Sequence, residues 1–330
     1  MPRPRQSSSR SMFVAAMLAV LVLIPLSPVI AETVEKIHFL IPGGAGGGWD
    51  GTARGVGEAL TKSGLIQSAS FQNMSGGGGG KAIAHLIETA KKQHGTLMVN
   101  STPIVIRSLQ KVFPQSFRDL TPIAGVIADY GAFVVRNDSP YQTWQDVLAA
   151  YEADPRSVKV AGGSVRGSMD HIVAAMGFQT AGADPLKVRY VAYDAGGKAF
   201  AGLLSGETDV LSTGMGEVLG QHKQGQVRIL AITADQRVDE LPDVPTLKDL
   251  GQDAYFANWR GLFGPPGLPD AMAQGYTAVL SKMYETNEWE AVRARNGWAN
   301  LYKPRAEFVA FLEEQEKTIG DLMRKLGVLK

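Results

Sequence analysis

From residue 36 onward, short unbroken apolar runs alternate with stretches in which apolar residues recur at helical spacing. Residues 36–41 read as a buried strand, 42–48 as a turn and 50–63 as a helix. Residues 69–73 then predict a short strand, 80–92 a helix and 96–99 another strand. Strand, helix, strand in this rhythm points to a parallel sheet with helices on its faces.

A second unit of the same kind begins near residues 131–135. It continues with a helix over 143–153, a strand over 158–161 and a helix from Ser168 onward. A strand over 188–191, a helix over 197–204 and strands at 209–211 and 227–233 complete it. The Pro-rich stretch 241–245 and the strand-like run 259–264 read as a return to the first unit, after which only helices are expected, over 269–286, 288–296 and 305–326. Two crossings, near Asp129 and Tyr255, divide the chain into two α/β domains with a hinge. Residues 32–128 and 255–330 form the first domain and 129–254 the second.

The N-terminus has a different pattern. Arg3, Arg5 and Arg10 precede an uncharged apolar run from Met12 to Leu26, and Val29, Ile30 and Ala31 offer a cleavage site, so residues 1–31 read as a secretory signal peptide. The run is shorter than the roughly 20 residues a spanning helix needs. The mature chain is therefore expected in the periplasm, not embedded in the membrane. It retains roughly 300 residues, enough for two domains with substantial cores.

The absence of cysteine excludes thiol catalysis, thiolate metal sites and disulfides. The net charge of +1 includes the leader arginines, so the mature chain lacks the basic excess of a nucleic-acid binder. The five histidines show no ligand spacing for zinc, and no metal or cofactor is expected.

The 38 glycines gather in a few loops, and the candidate chemistry lies there. Gly43, Gly44, Ala45, Gly46, Gly47, Gly48, Trp49 and Asp50 join a strand to a helix, where backbone N–H groups and the helix N-terminus can hold an anion. Gly46, Gly48 and Gly51 formally satisfy G-x-G-x-x-G, but the next strand lacks the terminal acid that would hold a ribose. Asp50 reads as the helix N-cap, with direct ligand contact as the alternative. Trp49 either closes over a ligand or packs.

Gly163, Ser164, Arg166, Gly167 and Ser168 form a second loop between strand and helix. Ser164 and Ser168 can donate to a carboxylate, while Arg166 either meets a second carboxylate or stays in solvent. Ser168 is also a natural N-cap, and His171 reads as a packed or capping residue. The run Gly76 to Gly80 reads as a flexible turn.

The order and spacing of these features resemble the extracytoplasmic solute receptors of the tripartite tricarboxylate transporter group, the TctC or Bug family. The resemblance rests on Pro42-Gly43-Gly44 with Asp50, Gly167-Ser168-x-x-His171 and Gly196-Gly197 followed by Leu203-Leu204-x-Gly206. It extends to Leu230-Ala231-Ile232-Thr233 with Arg237, Leu241-Pro242-Asp243-Val244-Pro245-Thr246 and Trp259-x-Gly261-Leu262-Phe263. It covers almost all of the mature chain. It implies a two-lobed periplasmic-binding fold, type II-like, closing on a carboxylate through backbone amides, hydroxyls and waters. The walls implied are Asn100, Ser101, Thr102, Tyr130, Tyr193, Asp194 and Thr213. The chain departs from the usual pattern in its extra glycines with Trp49, in Arg166 and in Asp194.

The function expected is capture of a small di- or tricarboxylate, citrate being the first candidate on account of Arg166. The protein, a monomer, would deliver it to the large and small subunits of a membrane transporter. Presentation of the ligand to a membrane signalling protein is the alternative, and a dinucleotide-dependent enzyme is a remote one. Ser168, Asp170 and His171 do not make a catalytic triad, because neighbours on one helical turn point in different directions and no G-x-S-x-G elbow surrounds the serine.

Overall fold

The computed structural model describes residues 1–2 and 33–329, so the leader read in the sequence lies outside the described residues. The chain runs β1 (Lys36–Ile41), α1 (Gly48–Lys62), β2 (Ser68–Asn73), α2 (Gly80–Glu88), β3 (Thr96–Ser101), α3 (Thr102–Leu109) and β4 (Thr121–Arg136). It continues with α4 (Trp144–Ala153), β5 (Lys159–Gly162), α5 (Met169–Thr180), β6 (Arg189–Ala192), α6 (Gly196–Leu204), β7 (Val210–Gly214), α7 (Leu219–Lys223) and β8 (Val227–Ile232). Strand β9 (Ala257–Gly264), helices α8 (Asp270–Met283) and α9 (Asn287–Asn296), strand β10 (Ala299–Pro304) and helix α10 (Arg305–Lys325) finish it.

Strand β1 lies parallel to both β2 and β3, and β5 lies parallel to both β6 and β7, as the alternation predicts. The joining strands reverse direction. β9 pairs antiparallel with β3 and β4, and β4 pairs antiparallel with β7, β8 and β10, so the sheet is mixed. β4 spans 16 residues. Its first part pairs with β9 and its last part with β7 and β8, which makes it the one element common to both halves of the sheet. The sequence reading started this strand near residue 131; the apolar residues Ile123, Val126 and Ile127 ahead of it belong to the same strand.

β10 is a correction to the expectation of helices alone after residue 264. Its sequence neither alternates nor runs apolar, and it is held by antiparallel pairing to β4 across an irregular register. Tertiary pairing decides such a segment where local pattern cannot.

Burial follows the layers. Ile37, Phe39 and Ile41 of β1 pack with Val56 and Leu60 of α1, and with Tyr276, Leu280 and Trp289 from α8 and α9. Around the second half, Phe133 stacks on Trp144 at 4.2 Å between ring centroids, and the Trp144 indole N–H donates to Gln252 Oε1 at 2.8 Å. A buried indole N–H usually finds such a partner, and Gln252 passes the connection on by donating to the Gly177 carbonyl. Among the described residues no helix is long and apolar enough to cross a membrane.

Candidate ligand-binding site

Four helices begin at one place. α1, α3, α5 and α6 each open at the wall of a cavity of about 140 Å³. Their N-cap residues are Gly47, Ser101, Ser168 and Ala195, and none of these side chains accepts a hydrogen bond from its own first turn. By contrast Thr143 and Thr286, which start α4 and α9 elsewhere, both cap in the ordinary way. First-turn N–H groups have no partner within their own helix, and the aligned peptide dipoles add partial positive charge there. Such helix ends can receive an anionic group.

Asp50 is not the N-cap. It sits in the first turn of α1, where Oδ2 accepts from the Gly46 N–H at 3.1 Å and Oδ1 accepts from Arg54 at 2.9 Å and from Asn73 at 3.1 Å. It pins the glycine loop and does not line the cavity. Trp49 both packs and lines: its ring lies against Gly43 and Gly79 and its N–H donates to Ser101 Oγ at 2.8 Å. The run Gly76 to Gly79 folds over the same cavity with four consecutive positive φ angles, a path that only glycine follows at low cost.

In the second loop Ser164 Oγ accepts from the Asp170 N–H at 2.9 Å and so does the capping expected of Ser168. The Ser168 residue is buried on the cavity wall. His171 Nδ1 accepts from the Gly167 N–H at 3.0 Å, and burial first, then the nearby Arg166 charge, push its pKa down to about 4. It is the packed, capping histidine of the sequence reading. Arg166 donates to the Tyr190 carbonyl at 2.7 Å and does not line the cavity.

Of the residues expected at the site, Gly43, Gly44, Gly47, Gly48, Trp49, Ser101, Gly163, Ser164, Ser168, Tyr193 and Asp194 surround the cavity. Ala45, Gly46, Asp50, Thr102, Arg166, Gly167 and Thr213 are not part of its lining. At the mouth, Ser75 after β2 donates to Asp194 after β6, joining the two loops across the opening.

Sequence reasoning missed the floor. Arg260 of β9, only 1% exposed, donates from Nη2 to Asp129 Oδ2 at 3.0 Å and lies 3.6 Å from Glu217 Oε1. Its Nη1 reaches Thr52 Oγ1 at 3.3 Å. Asp129 also accepts from the Gly216 N–H at 3.0 Å. Burial drives the carboxyls of Asp129, Asp170 and Glu217 upward; Asp170 reaches about 7 against the amides of Gly163 and Ser164, and Glu217 reaches about 8 despite Arg260. Backbone must come close for this to pack. A Cβ at Gly48 would collide with the Arg260 guanidinium, and one at Gly196 with the Glu217 carboxylate. The signal was present in the sequence: a charge inside an apolar strand, as Asp129 and Arg260 both are, demands a buried partner.

The family model described as the tripartite tricarboxylate transporter family receptor, TctC, matches residues 52–328. The chain belongs to this family. Its members are solute-binding receptors, not enzymes. BugT of Bordetella pertussis is 28% identical over 248 residues, covering 73% of this chain and 74% of that protein. Among solved structures, the periplasmic binding protein BugD superposes with a TM-score of 0.81 at 20% identity, covering 90% of this chain and 99% of that one. MatC from Rhodopseudomonas palustris, solved with bound malate, superposes with a TM-score of 0.77 at 20% identity, covering 88% and 99%. These likenesses give the TctC receptor the two-lobed α/β periplasmic-binding fold.

Proposed function

We propose that this receptor captures a small carboxylate in the periplasm and delivers it to the membrane subunits of a tripartite tricarboxylate-type transporter. The observation that carries the reading is the convergence of four helix N-termini, uncapped by their own side chains, on a cavity of about 140 Å³. The malate of MatC and the adipate of a second R. palustris structure, similar to this chain with a TM-score of 0.79, support a carboxylate. In this reading residues 32–128 with 255–330 form one lobe and 129–254 the other. The carboxylate rests on the loops at Gly43–Trp49 and Gly163–Ser168, with Ser101, Tyr193 and Asp194 beside it. A ligand touching both lobes stabilises their closed arrangement by its differential affinity, and the transporter reads that arrangement.

Citrate was favoured because Arg166 offered a partner for an additional carboxylate. With Arg166 committed to the Tyr190 carbonyl, that ground falls away, and the proposal stays with the class of small carboxylates. The test is a thermal-shift panel of mono-, di- and tricarboxylates, amino acids and sugars. A ligand at 100 times its dissociation constant adds about 2.7 kcal/mol. A shift confined to carboxylate-bearing compounds is expected; a response to sugars alone would overturn the reading.

A further inference from the structure

The two glycine loops lie on opposite lobes in the division proposed above, and those lobes also touch directly. At the mouth the bond from Ser75 to Asp194 is exposed. A second bridge is part-buried: Gln110, which caps the C-terminus of α3, donates from Nε2 to the Gly167 carbonyl at 2.7 Å. The other end of the same amide is taken as well, since Oε1 accepts from Arg107 Nη1 at 2.8 Å. The amide is thereby held in one orientation, with its donor toward the second loop. Gly167 is shaped to receive it. Its φ of +79° suits glycine, a Cβ there would lie 3.1 Å from Gln110 Nε2, and its N–H is already fixed on His171. The other polar bonds described for this loop stay within their own lobe, Ser164 with Asp170 and Tyr190, Arg166 with Tyr190.

Gln110, Arg107 and Gly167 are all outside the cavity lining, whereas Ser168, next to Gly167, is in it. The bond therefore acts on where the wall stands and not on its chemistry. Arg107 lies at the same seam. A Cβ at Gly78, in the glycine run over the cavity, would lie 3.3 Å from both Arg107 Nε and Val165 of the second loop. We propose that Gln110, oriented by Arg107, is an interlobe latch: by holding the Gly167 carbonyl it gives the closed arrangement a population of its own, before any ligand bridges the lobes. This rests on the receptor reading and its lobe division. When the lobes part, amide and carbonyl both return to water, so the bond contributes only its net worth, a factor of roughly three to ten in the closing equilibrium. A latch of that size biases closure without locking it.

The chain has no cysteine, so a pair introduced at exposed sites beside the mouth, one on each lobe, carries spin labels to defined positions. Pulsed electron–electron resonance then reads the interlobe distance in receptor refolded from guanidinium and dialysed, with no ligand added. A short-distance population of at least about a tenth is expected beside the open one. Gln110→Glu keeps the length of the side chain and gives Arg107 an ionic partner, but sets an acceptor against the Gly167 carbonyl. It should lower the closed-to-open ratio at least about threefold while the melting temperature stays within about 2 °C. Arg107→Met frees the amide to turn and should lower the ratio by a smaller factor; it carries the test if Gln110→Glu fails to fold. A ratio left unmoved, or a wild-type chain with no short-distance population, would overturn the latch. Because no ligand is added, either result leaves the carboxylate reading to its own thermal-shift test.

Discussion

Replacing Arg260 with methionine keeps the length of the side chain and removes its charge, which leaves Asp129 with no cation at a position of 0% exposure. Removing one member of a buried ion pair costs about 3–5 kcal/mol, because the partner's desolvation is no longer compensated. The stranded carboxyl can escape by taking a proton. Relative to an unfolded aspartate near 3.8, keeping it neutral costs about 1.4 kcal/mol for each pH unit above that value, or about 4 kcal/mol at pH 7. The two routes give the same size of effect. They also fix its sign: Arg260 lowers the Asp129 pKa against burial, so removing it raises that pKa further, and the loss is smallest near pH 4.5 and grows as pH rises to 7. Urea denaturation of wild type and Arg260→Met at pH 4.5, 6 and 7.5 measures it. Adding Asp129→Asn, which preserves an acceptor for the Gly216 N–H, should recover at least about 2 kcal/mol at pH 7.5, since neighbouring groups couple. A loss below about 1 kcal/mol that does not vary with pH would show that Asp129 is not held as an anion by Arg260, and the account of the floor would fall with it.

Three further outcomes follow from the same site. The raised carboxyls of Asp170 and Glu217, at about 7 and about 8, lower stability progressively as pH climbs from about 4 to 8, because the unfolded chain ionises first. His171, depressed to about 4, contributes stability above its ordinary 6.5 that is lost as pH falls toward 4, so calorimetric Tm should peak in weak acid and Glu217→Gln should raise the alkaline limb. A Tm still climbing between pH 7 and 8.5 contradicts this. Gly196→Ala places a methyl against the Glu217 carboxylate and should cost about 1–3 kcal/mol in denaturation along with most ligand binding. Ser75→Ala removes an exposed bond at the mouth, so stability should change by less than about 0.5 kcal/mol while the ligand dissociates faster in stopped-flow measurements; an unchanged off-rate would deny the Ser75–Asp194 contact any part in retention.

The strands and helices of the α/β alternation were legible because each carries its own period: residues 36–41 are β1 to the residue, and the helices expected over 143–153 and 305–326 match α4 and α10 nearly as well. Helix α3 and strand β10 were not legible. Thr102–Leu109 follows β3 with no intervening turn signal, and Ala299–Pro304 is a strand only because β4 accepts it. The rim of the site could be read from glycine and serine beside helix starts, a local pattern. Of the floor, the charges of Asp129 and Arg260 inside apolar strands were visible but their partners were not, because Asp129, Glu217 and Arg260 come from three separate stretches that only the pairing of β4 with β9 and β7 brings together. Arg166 misled for the complementary reason: a loop arginine announces a charge but not the direction in which it is spent.

β4 also sets an order of events in folding. Its residues Thr121 and Tyr130 find their β9 partners at Gly264 and Ala257, so the central pairing closes loops of well over a hundred residues. Loop-closure entropy must be met before such contacts reward it, which makes folding slow. Until β9 emerges, β3 and β4 both present open edges, so a nascent chain lacking its last quarter holds a sheet that cannot be finished. A fragment ending at residue 254 should therefore stay protease-sensitive and association-prone, and should become compact when a separate peptide spanning β9 to α10 is supplied.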